Sequence, residues 1–171
     1  MIKLVGALLI VSGTAAWGIG SIMRMKTRSK ALAAIMSSLE IMAEEIGANL
    51  TPMPALVEML SNIAPKPADL FYRNIKAELP KLGSESLGSI WQAGLDNSGE
   101  LMLERGEKEI LSELGWELGK YDGESQRRMI QSAIRRLKLI ADMAESERRA
   151  NSRLHGFLGV AAGMFAVVVL I

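Results

Sequence analysis

Two stretches of the chain carry no charged residue, and the long stretch between them repeats apolar residues at helical spacing. Leu4–Met23 is interrupted only by the hydroxyls of Ser12, Thr14 and Ser21. A helix of that length spans about 30 Å, the thickness of a bilayer core. The pattern therefore predicts an N-terminal transmembrane helix over residues 1–23. Gly6, Gly13, Gly18 and Gly20 suit a membrane helix better than a soluble one. A cleaved signal peptide is the rival reading, with Lys3 as its basic start and Thr14-Ala15-Ala16 as a weak cleavage site. The apolar run continues past that site into Arg24, Lys26, Arg28 and Lys30, the pattern of an anchor with a basic flank. Gly156–Ile171 spans only about 24 Å as a helix, although Leu154 can lengthen it and Arg153 can snorkel. A buried core helix is the alternative here. Val160–Ile171 is apolar on every face, so a C-terminal transmembrane helix over 156–171 is predicted.

The central stretch, residues 24–155, has no strand alternation, no internal repeat and no long flexible linker. Leu32, Ile35, Met36, Leu39, Met42 and Ile46 mark one face of a helix continuing from the first anchor and stopping near Gly47–Leu50. Thr51-Pro52 reads as a helix start, with Thr51 as cap. Leu56, Met59, Leu60 and Ile63 follow, up to Pro65. Pro67 opens a third helix with Leu70, Phe71, Ile75 and Leu79 inward. Ser84-Glu85 opens a fourth carrying Leu87, Ile90, Trp91 and Leu95. A fifth is predicted from about Glu100 to Leu118, its stripe of Leu103, Ile110, Leu111, Leu114 and Leu118 interrupted by Glu107. The last begins at Asp122, with Ile130, Ala133, Ile134, Leu137, Ala141 and Ala144 inward, and runs on into the C-terminal anchor. The fold class is thus all-α: an antiparallel bundle of about six helices flanked by N- and C-terminal transmembrane helices.

Composition narrows the class. The chain has 171 residues, the size of one domain, with 49% apolar and 23% charged residues, which excludes a disordered chain. It has no cysteine, which removes thiol chemistry and disulfides. A net charge of +1 gives no pull toward nucleic acid. Local charge is more telling. Four basic residues follow the first apolar segment, and Arg148, Arg149 and Arg153 precede the second. By the positive-inside rule the central domain is cytoplasmic and both termini face the other side. Asp96–Glu124 holds nine acids and three bases, whereas Arg127–Arg153 holds eight bases and three acids. Two readings follow. The basic helix covers the acidic one, through Arg127, Arg128, Arg135 and Arg136, or the acidic face, Glu100, Glu104, Glu109 and Glu113, is open and docks a basic partner.

Candidate chemistry is sparse. His155 is the only histidine and sits at the predicted membrane boundary. Gly115, Gly119 and Gly123 lack the strand that precedes a phosphate loop and read as packing and turn glycines. Glu44 and Glu45 have no second acidic cluster at ligand spacing. Trp91 and Trp116 read as core anchors. No catalytic, metal or cofactor site is expected, and the reading is a non-enzymatic, double-anchored helical module. A small transport or signalling component that handles a ligand itself is the alternative. Such a pathway should carry an ionisable group within the membrane, and neither apolar segment has one.

The run Leu114-Gly115-Trp116-Glu117-Leu118-Gly119-Lys120-Tyr121-Asp122-Gly123-Glu124-Ser125-Gln126 resembles the LG-x-x-LG-x-x-D-x-x-x-Q signature of the stage III sporulation protein AB family. Ala43-Glu44-Glu45-Ile46 followed by Thr51-Pro52-Met53 is similar to that family's E-I…T-P-L segment, with Met53 in place of Leu. Leu70-Phe71 and Trp91 fall where the family has L-F and W. The resemblance makes Glu45, Gly115, Gly119, Asp122 and Gln126 motif residues, for which structural roles are expected. It implies a protein of the mother-cell membrane around the forespore, part of a transenvelope channel between the two cells. It also implies a soluble part similar to the cytoplasmic F-type domain of type II secretion and type IV pilus platform proteins. The implied partners are other channel proteins, a cytoplasmic secretion-type ATPase and the lipid bilayer, with a homo-oligomer left open and no nucleic acid.

Overall fold

The structure, a computed structural model, describes residues 23–49 and 51–147; beyond them only the extent of the first and last helices is given. Six α-helices follow one another, α1 (Ile2–Asn49), α2 (Met53–Ile63), α3 (Ala68–Glu78), α4 (Leu87–Asp96), α5 (Arg105–Glu117) and α6 (Gly123–Leu170), and no strand occurs among the described residues. Short 3-10 turns at Leu79–Lys81 and Gly99–Leu101 precede α4 and α5. Among the described residues no helix is long and apolar enough to cross a membrane. The two predicted spans lie outside those residues, apart from Met23.

The chain divides into two compact units, residues 1–137 and 138–171. In the first unit α2, α3, α4 and α5 pack as successive neighbours, with α1 against α2 and α3. The stripe on α1 explains this arrangement. Leu32, Ile35, Leu39, Met42 and Ile46 recur every three or four residues and are buried, as is Ala31 beside them. Each large side chain so buried is worth about 1.5–3 kcal/mol. At the centre, Phe71 and Trp91 meet edge to face at 5.0 Å, with Tyr72 tilted against Phe71 at 5.2 Å. Two polar bonds make this aromatic core wholly satisfied. The indole N–H of Trp91 donates to the Leu111 carbonyl (2.8 Å), and the Tyr72 and Ser38 hydroxyls bond at 2.8 Å.

Glycines let α4 and α5 approach closely. A Cβ on Gly115 would stand 2.1 Å from Cδ1 of Trp91, and one on Gly88 would stand 2.3 Å from Cε3 of Trp116. Each helix thus seats a tryptophan in the gap left by the other's glycine.

Several boundaries and faces differ from the sequence expectation. Pro52, not Thr51, holds the position before α2, and the Thr51 hydroxyl instead donates to Glu45. Ser86 caps α4 by accepting from the Ser89 N–H, so that helix starts after Ser84-Glu85. The fifth helix starts at Arg105 rather than near Glu100, because Glu104 and Glu107 form a capping box there. Met102, just before it, adopts a left-handed backbone at φ 54°. Ile63 is exposed, Leu70 and Leu79 are half-buried, and Tyr72 is buried in their place. Trp116 is 44% exposed rather than a core anchor.

On α6, Ile130, Ala133 and Leu137 are buried and Ile134 is half-buried. In the second unit Ala141 and Ala144 are half-buried, while Leu139 and Met143 are exposed.

Candidate partner-docking surface

The four acidic residues expected to form a partner surface, Glu100, Glu104, Glu109 and Glu113, all precede or lie on α5. Glu107, the apparent interruption of its stripe, is fully buried. Its carboxylate accepts from Arg28 Nε (2.9 Å) and from the Glu104 backbone N–H (2.8 Å). Arg28 also reaches Glu104 at 2.6 Å. The first turn of α5 is therefore tied to α1 only a few residues past Met23. Glu104 is thereby engaged, although its side chain stays 66% exposed.

Further along the helix the pairs are superficial. Glu109 pairs with Arg105 on the same helix, and Glu113 accepts from Arg136 of α6 at 2.6 Å. Glu100, in the 3-10 turn, is exposed and has no ion pair among the described residues. The expected basic cover is slight. Arg127 and Arg128 pair with Glu124 on their own helix, and among the described residues only Arg136 crosses to α5. Exposed pairs of this kind are worth about 0–1 kcal/mol and give way to salt.

A shallow groove of about 570 Å³ runs between α4 and α5. Its lining includes Gln92, Asp96, Glu109, Glu113 and the exposed Trp116, together with the bases Arg105 and Lys108. Ser112, also in the lining, donates to Gln92 Oε1 at 2.5 Å and so bonds α5 to α4. An exposed indole beside carboxylates that still face water suits a basic peptide or protein surface with an apolar anchor.

The motif residues gather at corners. Gly119 follows α5 with φ 82°, a left-handed conformation that glycine adopts without strain. Its N–H donates to Gln126 Oε1 (3.1 Å), while Gln126 Nε2 donates to the Tyr121 carbonyl (2.7 Å). Gln126 therefore clasps the whole turn. Asp122 Oδ1 accepts from the Ser125 N–H (3.0 Å), and that bond holds its carboxyl below the usual range. Glu45 accepts from Asn49 and Thr51, closing the corner between α1 and α2. Gly115 lies against Trp91, as described. Sequence reasoning missed Arg28, Ser38, Tyr72 and the Glu104–Glu107 box. Only the last had a sequence signal, an acid three residues after a capping position.

Among the described residues no group of acidic or histidine side chains could hold a metal ion. These features define a class: a helical bundle with a shallow, charged groove and tightly bonded corners. The model of the stage III sporulation protein AB family matches residues 3–171, and the chain belongs to that family. It is 26% identical over 171 residues to stage III sporulation protein AB of Bacillus subtilis (strain 168), covering 99% of both chains. A solved structure of a stage III sporulation protein AB superposes with a TM-score of 0.63 at 22% identity, over 72% of this chain and 97% of the other. That likeness is one of fold.

Proposed function

We propose that this protein acts in sporulation as a non-enzymatic membrane platform, joining a cytoplasmic secretion-type ATPase to a transenvelope channel between mother cell and forespore. In this reading residues 1–23 and 156–171 cross the mother-cell membrane, residues 24–155 form the cytoplasmic domain, and the other channel proteins assemble around it. Family membership supports the sporulation role. The observation that carries the platform reading is the α4–α5 groove, where Trp116 is exposed beside the water-facing carboxylates of Glu109 and Glu113. Its makeup is that of a docking surface.

The test is cross-linking from a photo-reactive residue at position 108, in the lining of the same groove, in sporulating cells, with identification of the trapped proteins. The ATPase and channel proteins are expected. Charge reversal, Glu109→Lys with Glu113→Lys, should abolish the adducts while the bundle still folds. Adducts unchanged by the reversal, or a cytoplasm-accessible residue 171 in labelling experiments, would refute the platform or its topology respectively.

A further inference from the structure

The stretch of α1 that follows the first apolar segment carries an unusual surface. Met23 and Met25 are exposed at 66% and 41%. Against Met25 lies the loop that contains Gly99–Leu101 and Met102. Met102 is itself 46% exposed and is held outward by a left-handed backbone. That conformation is uncommon for a residue with a side chain and costs about 1 kcal/mol or more. A depression of about 340 Å³ lies between the two, lined by Arg24, Met25, Arg28, Gly99, Met102 and Glu104. Arg24, Lys26 and Lys30 have no ion-pair partner among the described residues, whereas Arg28 is taken up by Glu104 and Glu107.

Distance along α1 fixes the level of this loop. At 1.5 Å per residue, Arg28 stands about 7.5 Å beyond Met23. The headgroup layer on each side of a bilayer is about 5–8 Å deep. A loop touching Arg24, Met25 and Arg28 therefore falls within that layer if Leu4–Met23 crosses the membrane. Free methionines with unpaired arginine and lysine at that depth match the chemistry of an anionic interface: acyl-chain surface for the thioethers, phosphate for the cations.

We infer that the Gly99–Met102 loop and the Met23–Lys30 stretch of α1 together form a membrane-contact surface, which seats the bundle on anionic phospholipid headgroups. The inference rests on the first span proposed above. It gives the bundle a contact with the bilayer besides its helical tether, and it assigns Met102 its outward conformation. Glu104 and Glu107 neutralise Arg28 at this level, which leaves Arg24, Lys26 and Lys30 as the lipid-facing cations.

The chain lacks cysteine, so single labelling sites are clean. The full chain is reconstituted in vesicles of equimolar phosphatidylcholine and phosphatidylglycerol, with an environment-sensitive fluorophore on Met102→Cys or Gly99→Cys. An added Cβ at Gly99 meets nothing within 4 Å, so that variant guards against misfolding. Tyr121→Cys is the distal control: it adjoins α6, whose Arg127 lies over Gly47 near the far end of α1. Val11→Cys reports the span itself. Blue-shifted emission at 102 and 99, quenched by headgroup-level nitroxide lipid, is expected, with position 121 unquenched and position 11 quenched by mid-chain nitroxide. Arg24→Gln with Lys26→Gln should weaken the quenching at 102. Water-like emission at 102 and 99 with position 11 still deep would overturn the inference and leave the span standing. Water-like emission at 11 would refute the span, and the inference with it. Equal quenching at 102 in pure phosphatidylcholine would overturn the role of anionic lipid.

Discussion

Gly115→Ala should destabilise the bundle although it improves helix propensity. Alanine gains about 1 kcal/mol over glycine within a helix. Against that, the new methyl would lie 2.1 Å from Cδ1, 2.3 Å from Cγ and 2.7 Å from Nε1 of Trp91. Relief needs a shift of more than 1 Å, and the indole cannot give it cheaply. Its N–H is bonded to the Leu111 carbonyl, its ring is edge-on to Phe71, and it is wholly buried. Moving it forfeits a hydrogen bond worth about 1 kcal/mol and much of the packing whose complete loss costs about 3–5 kcal/mol. Overpacking of well-filled cores costs about 1–3 kcal/mol. The net expectation is about 2 kcal/mol of destabilisation, or less if α4 and α5 part slightly. Urea titration of the full chain in mild detergent, followed by tryptophan fluorescence, measures it. Trp91→Phe should reduce the cost of Gly115→Ala in a double-mutant cycle, because the smaller ring opens the space. Gly99→Ala, into open space, is the neutral control. A Gly115→Ala protein as stable as the parent, or one with no coupling to Trp91→Phe, would refute the close-approach argument.

Arg28→Met strands the buried Glu107 carboxylate and should cost about 3 kcal/mol, against about 0–1 kcal/mol for Arg105→Met in its exposed pair. Equal urea midpoints for the two variants would contradict this. Asp122 has its folded pKa depressed by the Ser125 N–H. Its contribution to stability is therefore present above its unfolded pKa and lost as pH falls through the lower folded value. The gap in melting temperature between the parent and Asp122→Ala should accordingly narrow on acidification, and a constant gap would speak against the bond. Burial raises the pKa of Tyr72, with the Ser38 bond opposing it more weakly. The neutral phenol thus stabilises the fold below pH of about 10, and that stability is lost as pH rises further. Tyr72→Phe should remove this alkaline loss; unchanged alkaline unfolding would exclude Tyr72 as its source.

How much of this could be read from the residues alone varies by feature. Prolines at 52, 65, 67 and 80 delimit α2 and α3 because proline can neither donate within a helix nor follow an α-helical residue comfortably. The α1 stripe was legible because one period of 3.6 suffices to sort its faces. Periodicity does not say which partner lies opposite. Glu107 looked like a flaw on an apolar stripe, because Arg28 stands 79 positions away in the chain. Trp116 was expected inside because of its size, but Gly88 accepts only part of the ring. The 3-10 turn before α5 was missed because Glu100–Leu103 keeps a helical spacing that the capping box at Glu104 overrules. The acidic face was legible as a run of charge. Its internal pairing depends on side-chain reach, which spacing along one helix does not reveal.

The bond between Arg28 and the first turn of α5 also sets a mechanical route through the molecule. Along the backbone, a pull on the start of α1 would have to travel through α2, α3 and α4 before reaching α5. The guanidinium short-circuits that path through two carboxylates, that of Glu107, 79 positions away, and that of Glu104. One of those carboxylates is fully buried and little screened by salt. Displacement of α1 along its axis is therefore handed directly to α5, and to the groove that α5 lines. α2 and α3, which pack directly on α1, are carried with it. A load arriving at α5 from a bound partner would take the same short route back to α1.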